Sequence, residues 1–264
     1  MENKAEDKRI MRQEPRAEYR LGLVSISFRK HTPEEILSAM KCAGLSCVEW
    51  GSDVHAPKED LANLQELVRL QEVYGITCCS YGTYFRLGTT PLKELYGYIQ
   101  AAKVLGTNIV RLWCGNKDSQ VYTKEEQEEL FGICRQAAVI AQEAQVILCM
   151  ECHNNTFTNT KESALALMKA VDSPHFRMYW QPNQFRTEEE NNAYAGLLSD
   201  YTQHIHVFHW QGHERLPLRD SVRTWQRYLA KFRGNRTLLL EFMPDDRLET
   251  LDEEAKALLV IAGK

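Results

Sequence analysis

Val146-Ile147-Leu148-Cys149-Met150-Glu151-Cys152-His153 is the stretch on which the reading of the fold turns. Apolar residues of the kind that fill a buried strand run straight into a carboxylate and an imidazole, and Asn154, Asn155 and Thr156 follow as turn formers. This is the pattern of a strand that carries polar groups to its carboxyl end. A carboxylate there is costly to bury unless it binds a cation, forms an ion pair or takes part in chemistry. The plain alternative is that Glu151 fans into solvent. Repetition weighs against it, because the same event recurs at Cys47-Val48-Glu49, Ile109-Val110-Arg111, His204-Ile205-His206 and Leu238-Leu239-Leu240-Glu241. Several strands ending in polar groups predict one shared mouth.

Outward from that stretch, short β-rich runs alternate with amphipathic helical patterns. Toward the amino end the pattern predicts strands over 21–28, 46–50, 76–81 and 108–114. Thr32-Pro33-Glu34-Glu35 opens the first helix with a cap, a first-turn proline and a capping-box glutamate, and Gly44 stops it. Helices follow over 60–74, 91–105 and 123–144. Toward the carboxyl end come helices over 161–171, 188–198, 221–232 and 248–262, interleaved with strands over 176–181, 204–208 and 237–242. Eight strand-helix units predict an α/β fold, a single-domain (β/α)8 TIM barrel over 20–264, preceded by a flexible, solvated arm over 1–19. A doubly wound sheet is the alternative, but no strand is followed by G-x-G-x-x-G or G-x-x-x-x-G-K-[ST]. Alternation along strands turns Ile147 and Cys149 inward with Glu151, Arg177 and Tyr179 with Gln181, and Leu239 with Glu241. The mouth then collects Glu49, Arg111, Trp113, Glu151, Gln181, His206 and Glu241.

Composition sets the class of partner. The 264 residues are 44% hydrophobic, enough for one α/β barrel or two smaller domains. With 26% charged residues, a formal net charge of -4 and no basic stripe, nucleic acid and membrane surfaces have little electrostatic support, and a small molecule fits better. No window approaches the roughly twenty apolar residues that span a bilayer. Residues 1–20 are charged where a signal peptide needs an apolar centre, so a cytoplasmic location is expected. The eight cysteines sit in apolar runs and read as buried thiols. Cys149 and Cys152, three apart on a strand, face opposite sides and cannot share a metal.

Glu151, His206 and Glu241 offer two hard oxygens and an imidazole from separate strands, a set suited to Mn2+, Mg2+, Co2+ or Zn2+. Gln181 adds a neutral, weaker amide oxygen. Without a metal, the two carboxylates would share a histidine or an arginine. His209 reads as an orienting group or a satisfied rim histidine, and Trp50, Trp113, Trp180 and Tyr84 as a ligand-stacking wall or plain packing. His55 and Arg86 fall in loops over the mouth, where substrate contacts concentrate.

On these residues the chain after the arm resembles the xylose isomerase-like TIM barrel superfamily, the sugar phosphate isomerase/epimerase group that includes ketohexose 3-epimerases, inosose dehydratases and, more distantly, endonuclease IV. The family's Glu, Asp, His and Glu on strands five to eight fall on Glu151 in Met150-Glu151-Cys152-His153, Gln181 in Tyr179-Trp180-Gln181-Pro182-Asn183, His206 in His204-Ile205-His206 and Glu241 in Leu240-Glu241-Phe242. Gln181 departs from the pattern by removing a negative ligand, and Gln184 stands where the family often has a second histidine. The resemblance implies a divalent metal that acidifies a sugar C–H, with Glu151 and Glu241 flanking that carbon and exchanging its proton. It also implies that His153, Arg215 and Arg111 hold hydroxyls and the developing oxyanion. Glu49, Trp113, His55 and His209 complete the candidate substrate-binding set. Dehydration of an inosose-type substrate and metal-free sugar binding without turnover are the alternatives. Phosphodiester cleavage is disfavoured, since the further His and Asp ligands and the basic groove it needs are missing. The expected partner is a sugar or cyclitol, and a homodimer through rim helices is in keeping with the group.

Overall fold

Eight parallel strands close into a barrel with a helix after each. A computed structural model describes residues 18–264. In chain order the elements are β1 (Tyr19–Val24), α1 (Pro33–Cys42), β2 (Cys47–Gly51), α2 (Leu61–Tyr74), β3 (Thr77–Leu87), α3 (Leu95–Val104), β4 (Ile109–Cys114), α4 (Lys124–Ala144), β5 (Ile147–Glu151), α5 (Lys161–Val171), β6 (Phe176–Trp180), α6 (Glu188–Leu198), β7 (Thr202–Val207), α7 (Val222–Leu229), β8 (Arg236–Leu240) and α8 (Leu251–Ile261). Each strand pairs in parallel with its sequence neighbours, and β8 closes the ring on β1. The fold is the expected single-domain (β/α)8 barrel. Of the expected arm over 1–19, residues 1–17 lie outside the described residues, and β1 already begins at Tyr19.

Local chemistry starts and stops the helices. Thr32 Oγ1 accepts from Glu35 N at 3.3 Å while the Glu35 carboxylate accepts from Thr32 N at 2.8 Å, satisfying two orphan donors at once. Thr123 with Glu126 and Thr187 with Glu190 repeat the box at α4 and α6. Gly75 takes the left-handed φ of 68° that ends α2.

Packing separates two layers. Cys149, Tyr179 and Leu239 lie inside the barrel with Cys47, Cys79 and Ile109, as side-chain alternation requires. Cys152 belongs to the outer layer between strands and helices, so the C-x-x-C pair is split across the wall. That outer layer contains Trp180, buried against Trp225, Tyr228 and Phe232. The thiols are free and buried except Cys42, which is exposed on the last turn of α1. Its apolar neighbours Met40 and Leu45 turn inward without it, which corrects the expectation of uniform burial.

Three segments differ from the alternation pattern. The first strand ends at Val24, because the chain winds into a buried 3-10 turn, Ser25–Phe28, whose Ser25 Oγ accepts from Gly51 N at 2.9 Å. β3 continues to Leu87 through an irregularity between Gly82 and Arg86. After β7 a short antiparallel hairpin pairs Trp210–Gln211 with Glu214–Arg215, turning at Gly212 with φ 57°. No helix among the described residues is long and apolar enough to cross a membrane.

α8 is tied to the loop before α7 by a buried carboxylate. Glu254 accepts from Leu218 N at 3.1 Å, and burial pushes its carboxyl up to about 7. The folded state therefore holds this proton more tightly than the unfolded chain. The resulting stabilisation is complete below the unfolded value near 4.5 and is lost as pH rises through about 7. Glu254→Gln is expected to flatten the dependence of unfolding free energy on pH in that window, as measured by urea denaturation. An unchanged slope would remove Glu254 as its source.

Candidate metal and active site

Seven side chains from six strands meet at the carboxyl end of the barrel. β2 supplies Glu49, β4 Arg111 and Trp113, β5 Glu151 and β7 His206, while Gln181 and Glu241 stand immediately after β6 and β8. All are buried or half-buried, and Glu49 and His206 have no exposed surface.

Arg111 is the bridge. Its Nε donates to Glu49 Oε1 at 2.8 Å and its Nη1 to Glu151 Oε2 at 2.5 Å. Trp113 Nε1 also donates to Glu151 Oε2, at 2.5 Å, which leaves Oε1 as the free oxygen of that carboxylate. Around His206 Nδ1 lie Gln181 Oε1 at 3.0 Å, Glu241 Oε2 at 3.5 Å and Glu151 Oε1 at 3.6 Å. One ligand atom from each of Glu151, His206 and Glu241 falls within 4.8 Å of the others. Among the described residues, no donor makes a hydrogen bond to the Glu241 carboxylate. Phe242, directly after it, is held at φ 59° while its N donates to Ser27 Oγ at 2.9 Å.

The electrostatics separate the two carboxyls that share the His206 ring. Burial alone would raise Glu151, but the Arg111 guanidinium, helped by His206, holds it well below the usual carboxylate range. Glu241 is raised by burial and by Glu151, with His206 offsetting only part of this. His206 is lifted to about 10 against the cost of burial by Glu241 and Glu49. Three carboxylates against one guanidinium and the His206 imidazolium leave one negative charge in a largely buried cluster, and such an excess calls for a proton or a cation.

The cluster opens into a cavity of about 380 Å³. Glu151, Gln181 and Glu241 line it together with the side chains of Asn154, Asn155, Asn183 and Gln184. Trp113, Phe208 and Trp210 supply aromatic surface. Neutral amides beside aromatic faces suit a ligand with many hydroxyls and apolar C–H faces.

Of the other expected substrate residues, His153 lines this cavity, its ring 5.1 Å from that of Trp113. Glu49 lies beneath the cavity rather than in its wall. His55 is also outside that wall, between Ser25 Oγ and His31 O at 3.1 Å each, where it braces the loop after β1. His209 pairs with Pro217 O at 3.0 Å and faces a neighbouring hollow between the loops after β6 and β7. Arg215, on the hairpin, lies over the rings of Trp210 and Phe242 at 5.0 and 4.8 Å and pairs with Asp246. It lines a smaller adjoining hollow. Trp50 is packing, with its indole N–H on Gln71, whereas Arg86 stacks on Trp113 at 4.2 Å.

One residue at the site escaped the sequence reading. Ser80 Oγ donates to Glu49 Oε2 at 2.6 Å and lies 2.7 Å from Tyr179 OH. A register shift between Val48 and Glu49 pairs Glu49 with Ser80, and simple alternation contains no sign of such a slip.

A family model described as xylose isomerase-like TIM barrel matches residues 37–258. No curated protein sequence matches the chain significantly. Among solved structures, the probable 3-DHS dehydratase AsbF from Bacillus anthracis is similar at TM-score 0.76 and 16% identity, over 91% of this chain and 98% of that one. The IOLI protein with a binding zinc atom follows at 0.74 and 15%, over 92% and 98%. D-psicose 3-epimerase with D-tagatose from Clostridium cellulolyticum H10 is similar at 0.67 and 15%, over 90% and 96%. At these identities the structural likeness speaks for the fold.

Proposed function

Because the chain belongs to the xylose isomerase-like TIM barrel family, we propose that it is a divalent-metal-dependent isomerase or epimerase of a sugar or cyclitol. The observation that carries this reading is the convergence of Glu151, His206 and Glu241 within 4.8 Å at the end of a cavity walled by amides and aromatic rings. The residues fit a cation: the Glu241 carboxylate has no hydrogen-bond donor among the described residues, and the cluster's carboxylates outnumber its cationic groups. Glu151 Oε1, His206 Nδ1 and Glu241 would hold the ion, with Gln181 as a neutral fourth donor. Once bound, it would polarise a substrate carbonyl and acidify the neighbouring C–H.

The chain's own groups then divide the work. Arg111 and Trp113 engage Oε2 of Glu151 and keep the carboxylate ionised, the form that can accept a proton. Glu241, whose carboxyl is raised from its ordinary value by burial and by Glu151, returns a proton from across the carbon. The amides of Asn154 and Asn183, joined at 2.7 Å, present donors and acceptors to hydroxyls. A lyase is the second reading, favoured by the same raised carboxyl of Glu241, since an acid of that kind can also hand a proton to a leaving hydroxyl.

NMR of the purified protein with Mn2+ and a panel of ketoses and inososes in D2O tests both. Deuterium uptake at the carbon next to the carbonyl, with interconversion of epimers, is the expected outcome, and a dehydrated product supports the lyase. Binding of a sugar with no exchange and no product would refute catalysis and leave a binding barrel.

A further inference from the structure

We propose that Glu49 is a positioning residue, a single buried carboxylate on β2 that orients His206 from behind and, through Arg111, fixes Glu151. The inference rests on the reading that Glu151, His206 and Glu241 hold a divalent cation. Glu49 has 0% exposure and does not line the cavity, so it cannot touch a substrate. An anion placed there still has to be compensated, and its contacts show where it acts. Oε1 accepts from Arg111 Nε at 2.8 Å, and Arg111 Nη1 donates to Glu151 at 2.5 Å, so one guanidinium links the β2 carboxylate to the β5 carboxylate. The same Oε1 lies 3.5 Å from His206 Nε2, a buried ring nitrogen with no hydrogen-bond partner. Nδ1 faces Gln181, Glu151 and Glu241. If Nδ1 binds a cation, the ring proton resides on Nε2, and the acceptor facing that proton is Glu49. A carboxylate behind a ligating histidine sets its tautomer and aim.

A second observation is independent of these contacts. A Cβ at Gly82 would lie 2.5 Å from Glu49 Oε1 and 2.7 Å from Arg111 Nη2. Gly82 sits within β3 and pairs with Gly51 and Arg111 on either side. The side chain is missing where the Glu49–Arg111 pair passes, so glycine here serves space. Ser80 completes the cradle by holding Glu49 Oε2 at 2.6 Å.

The test loads the full chain, labelled with 15N-histidine, with zinc, and reads zinc affinity by chelator competition and the His206 ring nitrogens by NMR. The parental protein should show a metal-bound Nδ1 and a protonated Nε2. Glu49→Asp, which keeps the charge but withdraws it, and Glu49→Gln should each lose about 10- to 100-fold in zinc affinity and shift or broaden the Nε2 resonance. Ser80→Ala should move both readouts in the same direction by less. Circular dichroism identifies folded variants; should Glu49→Gln fail to fold, Glu49→Asp and Ser80→Ala decide. Parental zinc affinity and unchanged His206 resonances in the folded variants would overturn the positioning role alone. A parental chain that takes up no zinc would instead overturn the metal reading on which it rests.

Discussion

Glu241→Gln is expected to abolish interconversion of epimers in D2O, with a loss of about 10²- to 10⁴-fold, while far-UV circular dichroism stays parental. The amide keeps the shape of the side chain but can neither accept nor return the proton, and it removes one of the two carboxylates facing His206 Nδ1. Since no described residue donates a hydrogen bond to the Glu241 carboxylate, the substitution orphans no donor in the barrel wall. A loss of turnover can therefore be assigned to chemistry rather than unfolding. Interconversion at the parental rate would take Glu241 out of the mechanism.

The largest effect on stability is expected from Arg111→Met. The guanidinium is buried between Glu49 and Glu151, at 2.8 and 2.5 Å, and its neighbourhood holds it firmly protonated. Methionine preserves much of the apolar stem but leaves both carboxylates without their counter-ion in a site that water barely reaches. Breaking such a buried pair costs about 3–5 kcal/mol, measurable as a drop in urea-unfolding free energy. Glu151 would also rise toward protonation, so a proton acceptor is lost together with the fold's margin. Adding Glu49→Gln to Arg111→Met should recover part of the loss, because it deletes one stranded charge. A cost within about 0.5 kcal/mol, the range of ordinary surface changes, would show that the two carboxylates do not depend on Arg111.

The barrel was legible because its elements are written locally. Capping boxes at Thr32, Thr123 and Thr187 and the glycine stop at Gly75 mark helix ends, and period-two alternation placed Cys149, Tyr179 and Leu239 inside. The meeting of Glu151, Gln181, His206 and Glu241 followed from strand ends sharing one rim. What could not be read depends on events that leave little trace in a single sequence. The slip at Val48/Glu49 brought Ser80 beneath Glu49, and the hairpin after β7 carried Arg215 toward Asp246. Glu49 shows the limit most clearly: alternation correctly turned it inward, but depth along the barrel axis decides whether an inward group meets a ligand or supports one that does.

The closing seam of the wall lies between the first strand and the last, β1 against β8, and Glu241 emerges just beyond that final strand. A ribosome must therefore deliver all eight strands before the third of the three grouped donors exists. Until then Glu49 and Glu151 have Arg111 between them as their shared counter-ion. The competent centre is thus completed only when the last strand closes the ring.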